Sequence, residues 1–429
     1  MNIYKLDEMS PEKKDFIMRR AETDISSHMQ LASEVAEDVR KNGDMAVCKY
    51  TEKFDRVKIQ PGNLRVLDSE IEEGYKRLEP KLRAAIEYAA GNIKKFHEKQ
   101  IPQEMWFTNV DRGIMAGEKT TPLEDVCIYV PRGKGSFPSV LLMLGIPASV
   151  AGVSRIVVVT PPNEEGSVDD TLLAAAKIIG VGEIYKVGGI QAVASVAFGT
   201  ETIPKCSKII GPGNSYATAA KRVLSGYIDA GLPAGPSEAI ILADEHADPL
   251  HVALDWMIEA EHGPDSASLL VTHSEELVKK VIPIVEQQLE KLSEKRQNFI
   301  KTNFSTYGGA IITNSLKESI DFTNEYAPEH MEVLTQKPFD VLPLIKNAGE
   351  ILLGEYTPIT LCNFLMGPNA ILPTGGFAKT YSSVSVFDFL KRSSVGYVTR
   401  EGFENVRENA RLIAEAEGFE AHAQAVIKR

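Results

Sequence analysis

Two rhythms of apolar positions divide this chain. Over the first hundred residues apolar side chains recur at helical spacing, from Ile25 to Tyr50 with an interruption at Asn42-Gly43, and again from Leu82 to Phe96, ending before Pro102. Ser10-Pro11 offers an N-cap followed by proline at the first helical position, so a helix is expected to begin there. From about Val126 short β-branched runs alternate with helical segments. The strand candidates are VCIYV (126–130), SRIVVVT (154–160), EIYKVGG (183–189), KIIGPGN (208–214), EAIILAD (238–244), SLLVT (268–272), GAIIT (309–313) and EILLGE (350–355). Such alternation predicts parallel sheets in α/β layers, and the number of runs suits two α/β units. The tail after Asp388 reads as helical, rich in Glu and Ala from Glu408 to Ile427, and suits a segment that reaches a partner subunit.

Composition narrows the function classes. A chain of 429 residues is too long for one small core, so two or more domains are expected. The formal net charge of -12 disfavours nucleic acid and anionic membranes as partners. No run approaches the ~20 apolar residues that span a bilayer. The opening MNIYKLDEMSPEKKDF lacks an apolar signal core, and a cytoplasmic protein is the default expectation. The cysteines Cys48, Cys127, Cys206 and Cys362 form no CxxC pair, which argues against a zinc ribbon or a disulfide framework.

Three strand candidates end in glycine-rich turns: 129–135 from Tyr129 to Gly135, 187–191 from Val187 to Gln191, and 211–214, Gly-Pro-Gly-Asn. Glycine lets a backbone approach a phosphate, and a following helix N-terminus favours its charge. All three lie within 129–237, which makes that unit the candidate nucleotide-binding half. No GxGxxG follows its first strand.

Two pairs of residues suggest chemistry. Glu259 and His262 stand three apart at the end of a helical run closed by Gly263-Pro264, a spacing that places a carboxylate and an imidazole on one face and can bind a divalent ion. Glu329-His330 follows Tyr326-Ala-Pro at the head of a probable strand, and adjacent acid and imidazole groups suit general acid–base work. His28, His97, His246, His251 and His273 sit in polar surroundings and read as solvated.

Together GPGN (211–214), PAGPSE (233–238), AEHGPDS (260–266), YAPEH (326–330), LPTGG (372–376) and AEGFEAH (416–422) resemble, in order, the histidinol dehydrogenase family. The resemblance implies a homodimer of two incomplete Rossmann-like α/β domains with N-terminal helices and a helical tail, one zinc per active site, two NAD used in sequence, and a place in amino-acid biosynthesis. The division expected is a helical segment 1–25, a first α/β domain from 26–128 plus 238–385, an NAD-binding domain at 129–237, and a tail 386–429 crossing to the partner. The family's cofactor contacts match Tyr129, Gln191 and Asn214; its substrate contacts match Ser237, Glu417 and the zinc set; its proton-transfer pair matches His330, which takes the hydroxyl proton, and Glu329, which activates water. By the same resemblance active sites are shared, with His422 a metal ligand from the second subunit.

The chain departs from the family pattern at its metal. Glu259 stands for the family's Gln and Asn363 for its Asp, so the metal set becomes Glu259, His262, Asn363 and His422, and each set holds one carboxylate. This reciprocal exchange argues for a retained divalent ion. Ala370 replaces a pocket His, Ile359 a Glu and Phe364 a Tyr, changes expected to favour a small alcohol other than histidinol, such as a sulfonated diol, with oxidation ending at the aldehyde or the carboxylate. Two other readings are a ligand-binding paralogue without catalysis, and a covalent role for Cys362, where the family has Gly.

Overall fold

The computed structural model describes residues 1–20, 25–132 and 135–429. Its strands are β1 (Ile3–Lys5), β2 (Met105–Asp111), β3 (Ile114–Pro122), β4 (Asp125–Tyr129), β5 (Arg155–Thr160), β6 (Glu183–Lys186), β7 (Ile209–Ile210), β8 (Glu238–Ala243), β9 (Ala267–Thr272), β10 (Gly309–Ile312), β11 (His330–Leu334), β12 (Glu350–Leu353) and β13 (Leu390–Val398). They form a large sheet in the order β1-β10-β9-β8-β11-β12, a small sheet in the order β6-β5-β4-β7, and a three-stranded ribbon β13-β3-β2. Pairing is parallel in the large and small sheets and antiparallel in the ribbon.

Both parallel sheets are buried on both faces, which is why their strands read as continuous apolar runs. Along β8 and β9 the side chains alternate between layers. Ile241 and Leu270 pack with the helices Pro249–Ala260 and Glu275–Leu289, whereas Ile240, Leu242, Leu269 and Val271 pack with Ile17, Phe322 and Tyr326. In the small sheet Val126, Ile128 and Val158 face the helices Pro80–Glu98, Pro138–Ala151 and Asp170–Ile179. Cys127, Tyr129, Val157 and Val159 face the helices Ser26–Asp55, Gly189–Phe198 and Ser215–Val223.

The N-terminal helices form as their patterns predict. Ser10 accepts from Lys13 N to cap the helix Pro11–Arg19. The break expected at Asn42-Gly43 is a kink inside Ser26–Asp55, where Gly43 adopts φ 53° and ψ -134°. A Cβ there would lie 2.2 Å from the Glu201 carboxylate, which accepts from Asp44 N at 2.8 Å.

The helices of 26–128 pack on the small sheet, and the helix Pro80–Glu98 also shares its core with Ile371 and Val384; apolar spacing defines a buried face but not which sheet covers it. Two expectations are corrected. The tail is not helical from its start, because β13 precedes the helices Arg400–Ala416 and Glu420–Ile427. Its polar, largely exposed residues give no alternating strand signal, and its pairing with β3 is set by tertiary contact. The N-terminal stretch opens with β1, an edge strand too short for a pattern.

Candidate active site

β8, β11 and β12 are parallel neighbours, so their first residues line up: the register pairs His330 with Ala239 on one side and with Glu350 on the other. Glu238, Glu329, His330 and Glu350 are consequently buried together at the amino ends of these strands. This end is unusual, since ligands of α/β sheets ordinarily gather at carboxyl ends. The crossover explains it. The helix Pro249–Ala260 returns from the carboxyl end of β8 to the amino end of β9, and delivers its last turn, with Glu259, to the same place. His262 lies just past the helix in the turn that closes it, so the Glu259–His262 spacing straddles the helix end.

Glu259, 1% exposed, is the hub. Its Oε2 lies 2.9 Å from His262 Nδ1, and its Oε1 accepts from Asn363 Nδ2 at 3.1 Å and lies 3.9 Å from His330 Nε2. Glu259 and Asn363 thus meet. Burial alone would raise the Glu259 carboxyl, but the His262 and His330 rings outweigh it and hold the group down at about 2. The carboxylate, imidazole and amide at this point are donors of the kind that zinc accepts. The Asn363 amide must turn its oxygen inward to serve.

His330 Nδ1 stands 2.5 Å from Glu350 Oε1, and its Nε2 lies 3.8 Å from Glu329 Oε1. Burial would depress the ring, but Glu259, Glu350 and Glu329 raise it to about 10. Burial pushes Glu329 up to about 8, with Glu259 and Glu238 adding to the rise and His330 opposing it. Beneath them Glu332, two residues along β11, is buried with Asp255, and burial raises both carboxyls.

The Cys362 thiol donates to Glu350, and burial followed by that carboxylate pushes the thiol far above its ordinary range. A thiolate nucleophile is disfavoured there, which argues against the covalent reading. Ile359, expected to shape the pocket, is buried in the core that covers the large sheet. Phe364 is exposed and Ala370 is half-buried.

Arg20 belongs to this site, although the sequence hardly marks it off from Arg19. It is 7% exposed, with positive φ at the end of its helix. Its guanidinium stacks on the Tyr326 ring at 3.6 Å, donates to the carbonyls of Tyr326 and Ala327, and has Nε 3.0 Å from Glu238 Oε2. Glu238 in turn accepts from Gly375 N, and its own N–H donates to Glu329 Oε2 at 2.8 Å. The N-terminal helix thereby clamps the loop that presents Glu329 and His330.

The expected cofactor residues converge at the carboxyl ends of the small sheet. Tyr129 ends β4, and its hydroxyl accepts from Gly189 N at 3.0 Å. Gln191 is buried; its Nε2 donates to Asp55 Oδ2 at 3.2 Å, and its Oε1 has no partner. Asn214 caps the helix Ser215–Val223 by accepting from Ala217 N, and a Cβ on Gly213 would lie 3.7 Å from the Tyr129 ring. A helix N-terminus without a side-chain cap at Gly188, an orphaned buried oxygen and a glycine cradle suit a phosphate-bearing dinucleotide. The centre of the loop after Tyr129, Gly133 and Lys134, lies outside the described residues.

Asp55, missed in the sequence because it ends an ordinary amphipathic helix, is raised to about 6 by burial, against the lowering bond from Gln191. Its folded pKa lies above the ~3.9 of an unfolded aspartate. The folded state therefore binds the proton more tightly, and stability falls as pH rises from about 4 through about 6. Asp55→Asn is expected to raise the thermal midpoint at pH 8, with the gain vanishing at pH 4; equal shifts at both pH values would refute this.

Ser237 is half-buried immediately before β8. Glu417 and His422 are exposed at the end of the tail, where the His422 ring packs on Phe419, and within one chain they are not brought to the Glu259 cluster. Leu412, Ile413, Phe419 and Ile427 are exposed beside them.

No helix among the described residues is long and apolar enough to cross a membrane. The family model for histidinol dehydrogenase matches residues 18–429. A histidinol dehydrogenase of Synechocystis sp. is 50% identical over 427 residues, covering 100% of this chain and 98% of that protein. A histidinol dehydrogenase homolog of Colwellia psychrerythraea is 44% identical, covering 99% of this chain and 96% of that protein. The crystal structure of histidinol dehydrogenase from Elizabethkingia anophelis superposes with a TM-score of 0.94 at 35% identity, covering 99% of this chain and 97% of that one. This chain therefore belongs to the histidinol dehydrogenase family, NAD-dependent oxidoreductases that act on CH–OH groups.

Proposed function

We propose that the protein oxidises a small polar alcohol other than histidinol, through the aldehyde to the carboxylate, at a site formed by Glu329, His330 and the Glu259 cluster. The observation that carries this reading is the burial of Glu329 and His330 against Glu259, which itself touches His262 and Asn363. Glu259, His262 and Asn363 would hold zinc, with His422 from a second copy completing the set; the exposed apolar residues of the tail favour such a homodimer. When bound, zinc would supply Lewis acidity and NAD a hydride acceptor.

The chain's own residues do the rest. His330 Nε2, 3.8 Å from Glu329 and 3.9 Å from Glu259, takes the hydroxyl proton. Glu329, poised near neutrality, takes a proton from the water that attacks the aldehyde. Ser237 and Glu417 bind the alcohol, while Tyr129, Gln191 and Asn214 bind NAD. Oxidation through to the carboxylate consumes two NAD and one water per alcohol, so two NADH per alcohol are expected at completion. One NADH per alcohol would show that the reaction stops at the aldehyde.

Histidinol itself is the second reading, favoured by the 50% identity to the Synechocystis protein of that name. Against it stands Ala370, which offers no hydrogen bond where the family pattern has His. Comparing kcat/KM for histidinol with that for small sulfonated and aliphatic diols decides between them.

Exchange of the metal carboxylate is separately testable. Glu259→Gln with Asn363→Asp is expected to retain zinc through dialysis better than either single variant, because only the double keeps one carboxylate in the set. A double variant that loses metal faster than both singles would overturn the exchange.

A further inference from the structure

Among the described residues, Glu350 is the one carboxylate touching His330 for which the proposed chemistry has no use. It opens β12 directly across from His330 and is 9% exposed, with His330 at 3% and Cys362 at 0%. Both of its oxygens are engaged: Oε1 stands 2.5 Å from His330 Nδ1, and Oε2 accepts from the Cys362 thiol. Cys362 adjoins Asn363 on the short helix Ile359–Phe364, so the same helix braces Glu350 and reaches Glu259. With Nδ1 committed, Nε2 is the ring nitrogen left for chemistry, 3.8 Å from Glu329 and 3.9 Å from Glu259.

We propose that Glu350 is the positioning residue of His330, holding the proton on Nδ1 and the ring plane so that Nε2 faces the reacting hydroxyl, with Cys362 as the brace that fixes Glu350. The inference rests on the base role of His330. The logic is general: an imidazole that exchanges protons through one nitrogen needs the other bonded to a fixed acceptor, or tautomer and orientation are lost. Parallel register supplies the fixed acceptor here, because residues facing each other on β11 and β12 cannot slide apart without breaking the sheet.

The test combines nitrogen-15 histidine NMR with kinetics on the full-length protein. The wild type is expected to show a downfield, slowly exchanging Nδ1–H proton on His330, with or without zinc. Glu350→Ala is expected to abolish that resonance and lower kcat by about 10–100-fold, the range for loss of such an outer partner, with KM for alcohol and for NAD changed by less than about threefold because neither binds through Nδ1. Glu350→Gln keeps an acceptor oxygen. It should retain the resonance, displaced upfield by the neutral partner, and recover much of kcat. An unchanged resonance in Glu350→Ala, or an identical chemical shift in Glu350→Gln, would overturn the proposal, and the second comparison serves should the alanine variant fail to fold. If the wild type oxidises no alcohol, the base role of His330 fails while the resonance still decides which group holds Nδ1.

Discussion

Replacing His330 with alanine is expected to lower turnover by about 10²–10⁴-fold, the range that a positioned acid–base group contributes, while NAD affinity remains within about threefold. The first half follows from geometry. His330 is buried and lies within 4 Å of Glu259, Glu329 and Glu350, and these groups cannot replace one another. Glu259, held near 2, is too weakly basic to take the hydroxyl proton, and Glu329 is assigned to the water. The second half follows from the architecture. Tyr129, Gln191 and Asn214 belong to the small sheet and its helices, whereas His330 begins a strand of the large one. Calorimetric titration with NAD beside steady-state turnover separates the two effects. Turnover near that of the wild type would remove His330 from the chemistry, and a parallel loss of NAD affinity would mean that the variant disturbs more than a proton acceptor.

Arg20→Ala is expected to destabilise the fold by about 3–5 kcal/mol, the cost of leaving one partner of a buried ion pair alone. Its side chain and that of Glu238 are each 5% exposed, so solvent does little to screen the loss. Two backbone carbonyls of the Tyr326–Ala327 turn lose a charged donor at the same time. Urea unfolding of the variant measures the effect. Adding Glu238→Gln to Arg20→Ala should restore part of the stability, since it removes the stranded charge while keeping an acceptor for Gly375 N. A single variant within about 1 kcal/mol of wild type would place this pair among the many that contribute little.

Much of the fold was legible because both main sheets are parallel and buried, and such strands announce themselves as apolar runs: β5, β8 and β9 lie within a residue of their expected bounds. The ribbon was not legible. β2 is exposed along its whole length and β13 nearly so, and neither alternates. Which sheet the helices of 26–128 cover was equally hidden, because an apolar stripe on a helix is indifferent to the sheet that buries it.

The site divides in the same way. Glu259, His262, Asn363, Glu329 and His330 were legible as motifs, and the structure brings them together. Glu350 was visible only as an acid opening an apolar run, a placement that signals a partner without naming it; the partner is set by cross-strand register. His97, read as solvated from its polar neighbours, is fully buried, with Nδ1 2.7 Å from Gln100 Oε1 and Nε2 3.3 Å from Asn369 Nδ2. Local polarity misleads there because the contact with Asn369 spans most of the chain. Glu417 and His422 were named by resemblance alone, and both lie exposed in the tail.

The central claim, that Glu329 and His330 work beside a zinc held by Glu259, His262 and Asn363, is tested most directly by NADH absorbance on protein of measured zinc content, with a panel of small alcohols that includes histidinol and sulfonated diols. The account predicts NADH formation with at least one alcohol, lost on chelation, regained with zinc, and suppressed in His330→Ala. Zinc-replete protein that binds NAD yet forms no NADH with any alcohol in the panel would contradict it.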